Sequence, residues 1–536
     1  MKKQIDLQLL AVLGGGILFS YLFWTQDLGL NLLLYSLFIS VIFLFDKEIG
    51  KSKKVLLAGS SHILAAIMVV VNQSDLTIIT WYISLAVWIG LAHFQSLRTI
   101  LTALIGAFMQ LATIPVNLFR KLVSKKYHSI SFKPFLKPVK YLVIPIIVLF
   151  LFSVLYSIAN PVFAKYLADI INSIEALLTV FFNFFFDELS FLRFMHFILG
   201  ILLATAIFVG FRDKALESAE ALYTDKLMRQ RKPKGALTMG YEIVAVFAGN
   251  LLNRKMALKT ENIIGIISYT ALNLLLLCLN AIDVSTLWMA KTTGSNLSSE
   301  LHDGTNALII SIVMAMLVIV YFFSGNLNFY SKNKSLRLLA YVWIFQNAFL
   351  VMSVLHRDYN YIDAHGLTYK RIGVMIFLLL CTIGLVTVYL KVAKQKTFFY
   401  LIRINSFIWY VLLLGFGMVN WDVFIAGYNI NNRSSITLDL DHLTSLSDQA
   451  LPLIIENKQL LRLYLANSQY ADKGIQEKTP DTAISEAQVA AEQVQAFESD
   501  LKFRIDRFKQ NYANASWISW NYRDWQTHQY LIVQHL

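Results

Sequence analysis

Apolar residues in this chain come in long, nearly unbroken runs separated by short polar stretches. Such runs predict helices that cross a bilayer, because in hydrocarbon every backbone amide must be bonded within its own segment. About 17–25 mostly apolar residues cover a hydrocarbon core of about 30 Å. On that rule eleven runs predict spans: 7–24, 29–45, 55–71, 77–94, 141–159, 194–211, 262–282, 306–324, 338–355, 372–391 and 399–420. The run 100–118 is ambiguous by pattern alone. Beyond Trp421 no run is long enough to cross, and the spacing in 439–468 and 481–512 is helical instead. Val489, Val494, Phe497, Leu501 and Ile505 mark the second of these, after a break at Lys478-Thr479-Pro480-Asp481. The pattern predicts an all-α, polytopic helical membrane bundle of about 11 spans, alternatively 12, with a small helical C-terminal extramembrane domain. It divides into N-terminal spans with an interfacial helix and a basic loop (1–140), a membrane core (141–421) and the C-terminal domain (422–536).

Composition sharpens the class. Hydrophobic residues make up 57% and charged residues 15%, and the mean hydropathy is +0.55. Soluble domains carry about 25% charged residues to cover a water-facing surface, so a soluble, collagenous or disordered chain is excluded. Cys278 and Cys381 both lie in apolar runs, which leaves no disulfide framework and no cysteine metal site.

The net charge of +13 is unevenly placed. Roughly thirty Lys and Arg fall in one set of connections, among them 46–54, 120–140 and 212–261, against about six in 25–28, 72–76, 160–193, 283–305 and 356–371. That bias predicts a multi-pass protein of the bacterial inner membrane, with membrane lipids as its surroundings, its N-terminus in the cytoplasm and its C-terminal domain extracytoplasmic. A spanning 100–118 would carry the basic 120–140 outside, so it is read as interfacial or re-entrant, bent at Pro115. Met1-Lys2-Lys3 before an apolar run imitates a signal peptide, but no small-x-small site follows, and the first helix is read as retained. Trp517, Trp520, Tyr522, Trp525 and Tyr530 crowd the end of the tail. They fit core packing of the small domain, or docking on the outer leaflet.

Polar groups inside the runs need partners or a cavity. Asn273 and Asn280 are seven apart and share a helix face, with Asp283 following, and Gln346 and Asn347 sit mid-run in 338–355. They fit either cross-helix packing bonds or a polar path between the two helices. Arg403 is read as snorkelling to the cytoplasmic face.

The outer loops carry the candidate chemistry. In 356–371, Arg357, Tyr361, Asp363, His365, Gly366, Thr368 and Arg371 predict a helix ended by Gly366 and a following helix capped by Thr368. The N-terminus of that helix, with Arg371 beside it, suits an anionic or lipid-linked ligand such as phosphate or carboxylate. Glu300, His302 and Asp303 lead into the 306–324 run, and Asn429 and Arg433 follow the last one. These three segments could form one polar site on the outer surface, or Arg357 and Arg371 could serve as anchors paired with Asp358, Asp363 or lipid. The histidines and acids match no recognised ligand spacing, so no metal site is assigned. No P-loop, dinucleotide fingerprint or nucleophile elbow is present, so no cofactor is assigned, and nothing suits nucleic acid. Gly14-Gly15-Gly16 lies inside a span and predicts close helix packing.

Several of these positions carry a resemblance. Arg357, Tyr361, Gly366-Leu367-Thr368 and Arg371, then Asn420-Trp421-Asp422, Ile425-Ala426, Asn429 and Arg433, are followed by Asp441, Leu443, Leu446-Ser447-Asp448, Ala450-Leu451-Pro452 and Trp520-Asn521-Tyr522-Arg523. Together with Asn160-Pro161-Val162-Phe163, this order is similar to that of the bacterial multispanning membrane proteins classed as domain of unknown function 4173, related to group 4153. The likeness covers roughly 140–530 and departs in His365, where an aromatic is usual, and in a spacing to Arg433 one residue longer. It implies that the outer loops and the tail act together, and it supplies no activity, substrate or cofactor.

Three functions remain: a transport, permease-like or envelope-maintenance protein; a membrane enzyme acting on a lipid-linked or outer-leaflet phosphate-bearing substrate; and a sensor or scaffold with a protein partner at 422–536. The first is expected, because in-membrane polar residues suit it and the first outer loop, 25–28, is short for a membrane glycosyltransferase.

Overall fold

The computed structural model describes residues 7–46, 49, 52–114, 145, 149, 152–185, 190–210, 214–228, 258–288, 297–434, 436, 438–466 and 486–534. Among them the regular structure is helical, apart from an isolated bridge between Lys226 and Lys396. In chain order the helices are α1 (Leu7–Phe23), α2 (Leu30–Phe45), α3 (Lys53–Asn72), α4 (Asp75–His93), α5 (Ile100–Ala112), α6 (Pro161–Phe185), α7 (Phe191–Phe208), α8 (Lys214–Ala221), α9 (Leu258–Asp283), α10 (Leu297–Phe322), α11 (Lys334–His365), α12 (Tyr369–Ala393), α13 (Phe398–Gly417), α14 (Trp421–Asn431), α15 (Leu440–Ser445), α16 (Leu451–Glu456), α17 (Lys458–Ala466), α18 (Glu486–Asn514) and α19 (Tyr522–Val533). Short polar residues set many of the starts. The side chains of Ser74, Thr397, Asn420 and Asp439 each accept a backbone N–H from the first turn of α4, α13, α14 and α15.

Seven described helices are long and apolar enough to cross a membrane: α3, α4, α7, α9, α11, α12 and α13. Leu7–Phe23, Leu30–Phe45 and Ala307–Phe322 are apolar and shorter. The outward faces are apolar, with Leu275, Phe345 and Ile310 at 69%, 76% and 62% exposed. That is the reverse of a water-facing surface, and the protein is a membrane protein. The expected span 141–159 lies largely outside the described residues, of which 152–159 are helical. The 13 residues of α5 rise only about 20 Å, too little to cross a core of about 30 Å.

Two expectations need correction. The apolar pattern leaves 160–193 as a connecting loop, yet it holds the 25-residue α6. Asn160 accepts the N–H groups of Val162 and Phe163, and Pro161 takes the first helical position. Lys165, Asp169 and Glu175 interrupt its apolar residues, so a search for unbroken apolar runs misses an amphipathic helix. The helical run 439–468 is broken into α15, α16 and α17. The carbonyls of Thr444 and Leu446 are taken by the Arg504 guanidinium at 2.5 and 2.8 Å, so they serve no next helical turn.

The chain packs as two compact units. The first comprises residues 1–97, 102–218 and 511–525. Here α1 lies against α7, and the glycine run is the reason they can approach. A Cβ on Gly16 would meet Ile201 Cγ1 at 2.5 Å, and one on Gly15 would meet Ala204 Cβ at 2.9 Å. His62 is fully buried between α3 and α4, bonded to Ser84 Oγ at 2.9 Å and packed against Trp81 and Trp88. The tail joins this unit at the connections between helices. Leu30 N–H donates to the Trp520 carbonyl at 3.0 Å, and Asn521 Nδ2 to Gln73 Oε1 at 2.5 Å. Trp517, Trp520 and Trp525 stay 62%, 37% and 40% exposed, while Ile518 beside them is buried.

The second unit comprises residues 98–101, 219–510 and 526–536. Tyr269, Ile312, Ile319, Leu336, Ala340 and Leu350 are fully buried at its centre. Arg504, 5% exposed, also bonds Asp448 Oδ1 at 3.0 Å, which ties α18 to the Leu446-Ser447-Asp448 turn.

Candidate functional site

The buried residues of α9 are Asn262, Gly265, Tyr269, Asn273, Leu276, Asn280 and Asp283, spaced by three or four along one face. That face meets α11. Asn273 Nδ2 donates to the carbonyls of Tyr269 at 2.7 Å and Leu339 at 3.1 Å. Gln346 Nε2 donates to Asn273 Oδ1 at 3.0 Å, and Asn280 Nδ2 to the Gln346 carbonyl at 3.3 Å. Arg357 NH2 closes the series on Asp283 Oδ1. Partner numbers rise together on both helices, so α9 and α11 run parallel and share a polar seam. Asn347 is not part of it: its amide bonds the Trp343 carbonyl of its own helix at 2.8 Å. Asn273, Asn280 and Gln346 thus bond across the two helices.

Beyond the ion pair lies a polar ledge. Gly366 ends α11 at φ +78°, ψ −177°, a region that only glycine occupies without strain. Asn429, from α14, reaches the next residue with both amide atoms. Its Oδ1 accepts from Leu367 N–H at 2.6 Å and its Nδ2 donates to the Leu367 carbonyl at 2.9 Å. A Cβ on Gly366 would sit 2.6 Å from Asn429 Oδ1, so the two positions require one another. Arg371 NH1 donates to the Gly366 carbonyl, and its guanidinium lies 4.4 Å over the Tyr361 ring, with Asp358 and Asp439 as neighbouring carboxylates. Tyr361 also packs against His365 at 4.7 Å. Tyr369 Oη donates to Asp422 Oδ1 at 2.8 Å. Burial, then the charge of Asp363, raises the Tyr428 phenol above its ordinary pKa.

The structure therefore brings together Arg357 with Asp283, and Tyr361, His365, Gly366, Arg371 and Asn429 with one another. Asp363 is exposed nearby. Thr368 holds the capping position of α12 in extended conformation but makes no side-chain cap bond. Arg433 turns back to the Ile430 carbonyl at 3.0 Å. Glu300, His302 and Asp303 lie in α10, but their side chains fall outside the described residues. Arg357 and Arg371 each hold an internal partner, as anchors would.

The surroundings of several groups were not legible in the sequence. Asp358 is 7% exposed, and its Oδ2 is buried without a partner. Lys391, in the last turn of α12, is 1% exposed and donates to the Phe323 carbonyl at 2.6 Å. Arg403 pairs with Asp225 at 2.7 Å. The partners of Lys391 and Arg403 lie more than sixty residues away, which leaves no local signal.

No curated protein and no solved structure matches the chain. The sequence profile described as "Domain of unknown function (DUF4153)" matches residues 33–457, starting well ahead of the 140 at which the motif likeness began. That stretch contains the seam, Gly366, Arg371, Asn429 and the Leu446-Ser447-Asp448 turn, and with most of its length inside the match this chain belongs to the DUF4153 family.

Proposed function

We propose that this protein is a component of the cytoplasmic membrane with a transport, permease-like or envelope-maintenance role and a polar working surface at the Arg357 end of α11. The observation that carries the reading is the buried ion pair Asp283–Arg357 at the end of an amide seam inside two span-length helices. An ion pair buried at the outer end of two spans is costly to desolvate and is kept where a path or pocket needs it. The excess of Lys and Arg in the alternate connections supports an orientation with Lys332 in the cytoplasm and Arg357 outside.

The enzyme reading draws less support, because both arginines that would hold a phosphate-bearing substrate are already engaged within the protein. The exposed Trp517, Trp520 and Trp525 rings favour a partner-binding role for the tail as a second reading.

Thermal unfolding of the detergent-solubilised protein against a panel of small solutes, with native mass spectrometry of the undelipidated protein, tests the proposal. A solute that raises the Tm of the wild type but not of Asp283→Asn is expected. No stabilising solute, together with a phospholipid or polyprenyl phosphate retained by the wild type and lost in Arg371→Ala, would overturn it in favour of lipid-linked chemistry.

A further inference from the structure

Amide geometry decides which atoms of the α9–α11 seam are left over. A backbone carbonyl only accepts, so the Asn280 atom on the Gln346 carbonyl is its nitrogen, and Asn280 Oδ1 remains. The carbonyls of Tyr269 and Leu339 orient Asn273 in the same way. Its oxygen then takes Gln346 Nε2, and Gln346 Oε1 remains. Arg357 occupies Asp283 Oδ1 and leaves Asp283 Oδ2. These three oxygens are buried without a protein partner, and so are Ser353 Oγ and Arg357 Nε. Ser353 is fully buried, and it lies seven residues past Gln346 and four before Arg357, on the same face of α11.

Unpaired polar atoms are costly away from water, and five of them line one stretch of one seam. Their chemistry limits what can fill it. Opposite charges on Asp283 and Arg357 cancel, so a bound metal ion would leave net charge in a low-dielectric site, and one carboxylate is too few for a divalent cation. A set of acceptors with one hydroxyl and one N–H calls for a small neutral molecule that both donates and accepts, which is water.

We infer that the Arg357 end of the seam is a water-filled half-channel, running from the Asp283–Arg357 pair past Ser353 to Asn280 and Gln346. The Asp283–Arg357 pair is its mouth, because Arg357 is still 16% exposed where Asp283 is 1%. This deepens the transport reading and rests on it for its use. Its test reads solvent access alone, so it can fail while that reading stands, and the reverse.

The full-length protein, with Cys278 and Cys381 replaced by Ser, is placed in vesicles open on both sides, so orientation does not enter. Single variants Ser353→Cys and Asn280→Cys are treated with the water-soluble reagent 2-aminoethyl methanethiosulfonate, with lipid-facing Leu275→Cys as reference. Thiolate forms where water reaches, and each pKa unit added by an apolar surround slows reaction about tenfold, so labelling at 353 and 280 is expected at least about tenfold faster than at 275. Adding Arg357→Ala should quicken it further by opening the mouth. Ser353→Cys is nearly isosteric and decides the matter if Asn280→Cys does not elute as the wild type. Labelling at 353 no faster than at 275, with and without Arg357→Ala, would overturn the proposal.

Discussion

Gly366 and Asn429 form a clasp in which neither residue works without the other. An alanine at 366 meets both a backbone conformation that costs about 1–3 kcal/mol outside glycine and the Asn429 oxygen 2.6 Å away. Asn429→Ala strands the N–H and the carbonyl of Leu367, at about 1–3 kcal/mol for each buried group left unpaired. Both variants should lower the Tm of the purified protein, and the double variant should lose less than the sum, because the two changes remove one contact. An additive double variant would show that the clasp does not couple them. Arg504→Met tests another clasp. It leaves the Thr444 and Leu446 carbonyls unmet and should loosen α18 from the turn at Ser447, read as faster amide exchange there.

At the scale of elements, α9 and α11 are joined by amides where most neighbouring helices are joined by apolar packing. In a bilayer such bonds are worth less than their burial suggests, on average about 0.6 kcal/mol, because the separated helices also find partners. A double-mutant cycle of Asn273→Leu and Gln346→Leu should therefore give a coupling of about that size. A coupling near zero would mean that the seam contributes no cross-helix stability. The short α5 belongs to the same scale. Gly90 of α4 would put a Cβ 2.0 Å from the Ala103 carbonyl, so the two helices touch backbone to backbone. Gly90→Leu should force them apart and lower stability more than a leucine at lipid-facing Ile79, 52% exposed.

For the whole molecule, the segment 511–525 is part of the first unit and not an appendage to it. Gly29 leaves room for the Ser519 carbonyl, 2.5 Å from where its Cβ would stand. Deleting residues from Ser516 onward should lower the Tm, and Gly29→Ala should do so in the full-length chain but not in the truncated one. Equal effects in both would mean that the tail does not dock there. Orientation is a whole-molecule property as well. Lys332→Cys should react with an impermeant thiol reagent only in inside-out vesicles, and reaction in intact cells would reverse the proposed topology.

Class and element positions were legible along the chain, because a membrane helix satisfies its backbone locally and advertises itself by an unbroken apolar run. Local chemistry also foretold the Gly366 stop and the glycine-rich face of α1. Where the pattern was amphipathic or broken from afar, as in α6 and at Leu446, reading failed, since no window around those residues contains the surface or the Arg504 that decides them. Sequence placed Arg357, Arg371 and Asn429 at one polar surface, but tertiary structure assigned their partners. Asp283 stands 74 positions from Arg357, and Asn429 62 from Leu367. Hydrogen bonds and ion pairs act over a few ångströms of space, and only folding converts those separations along the chain into contact.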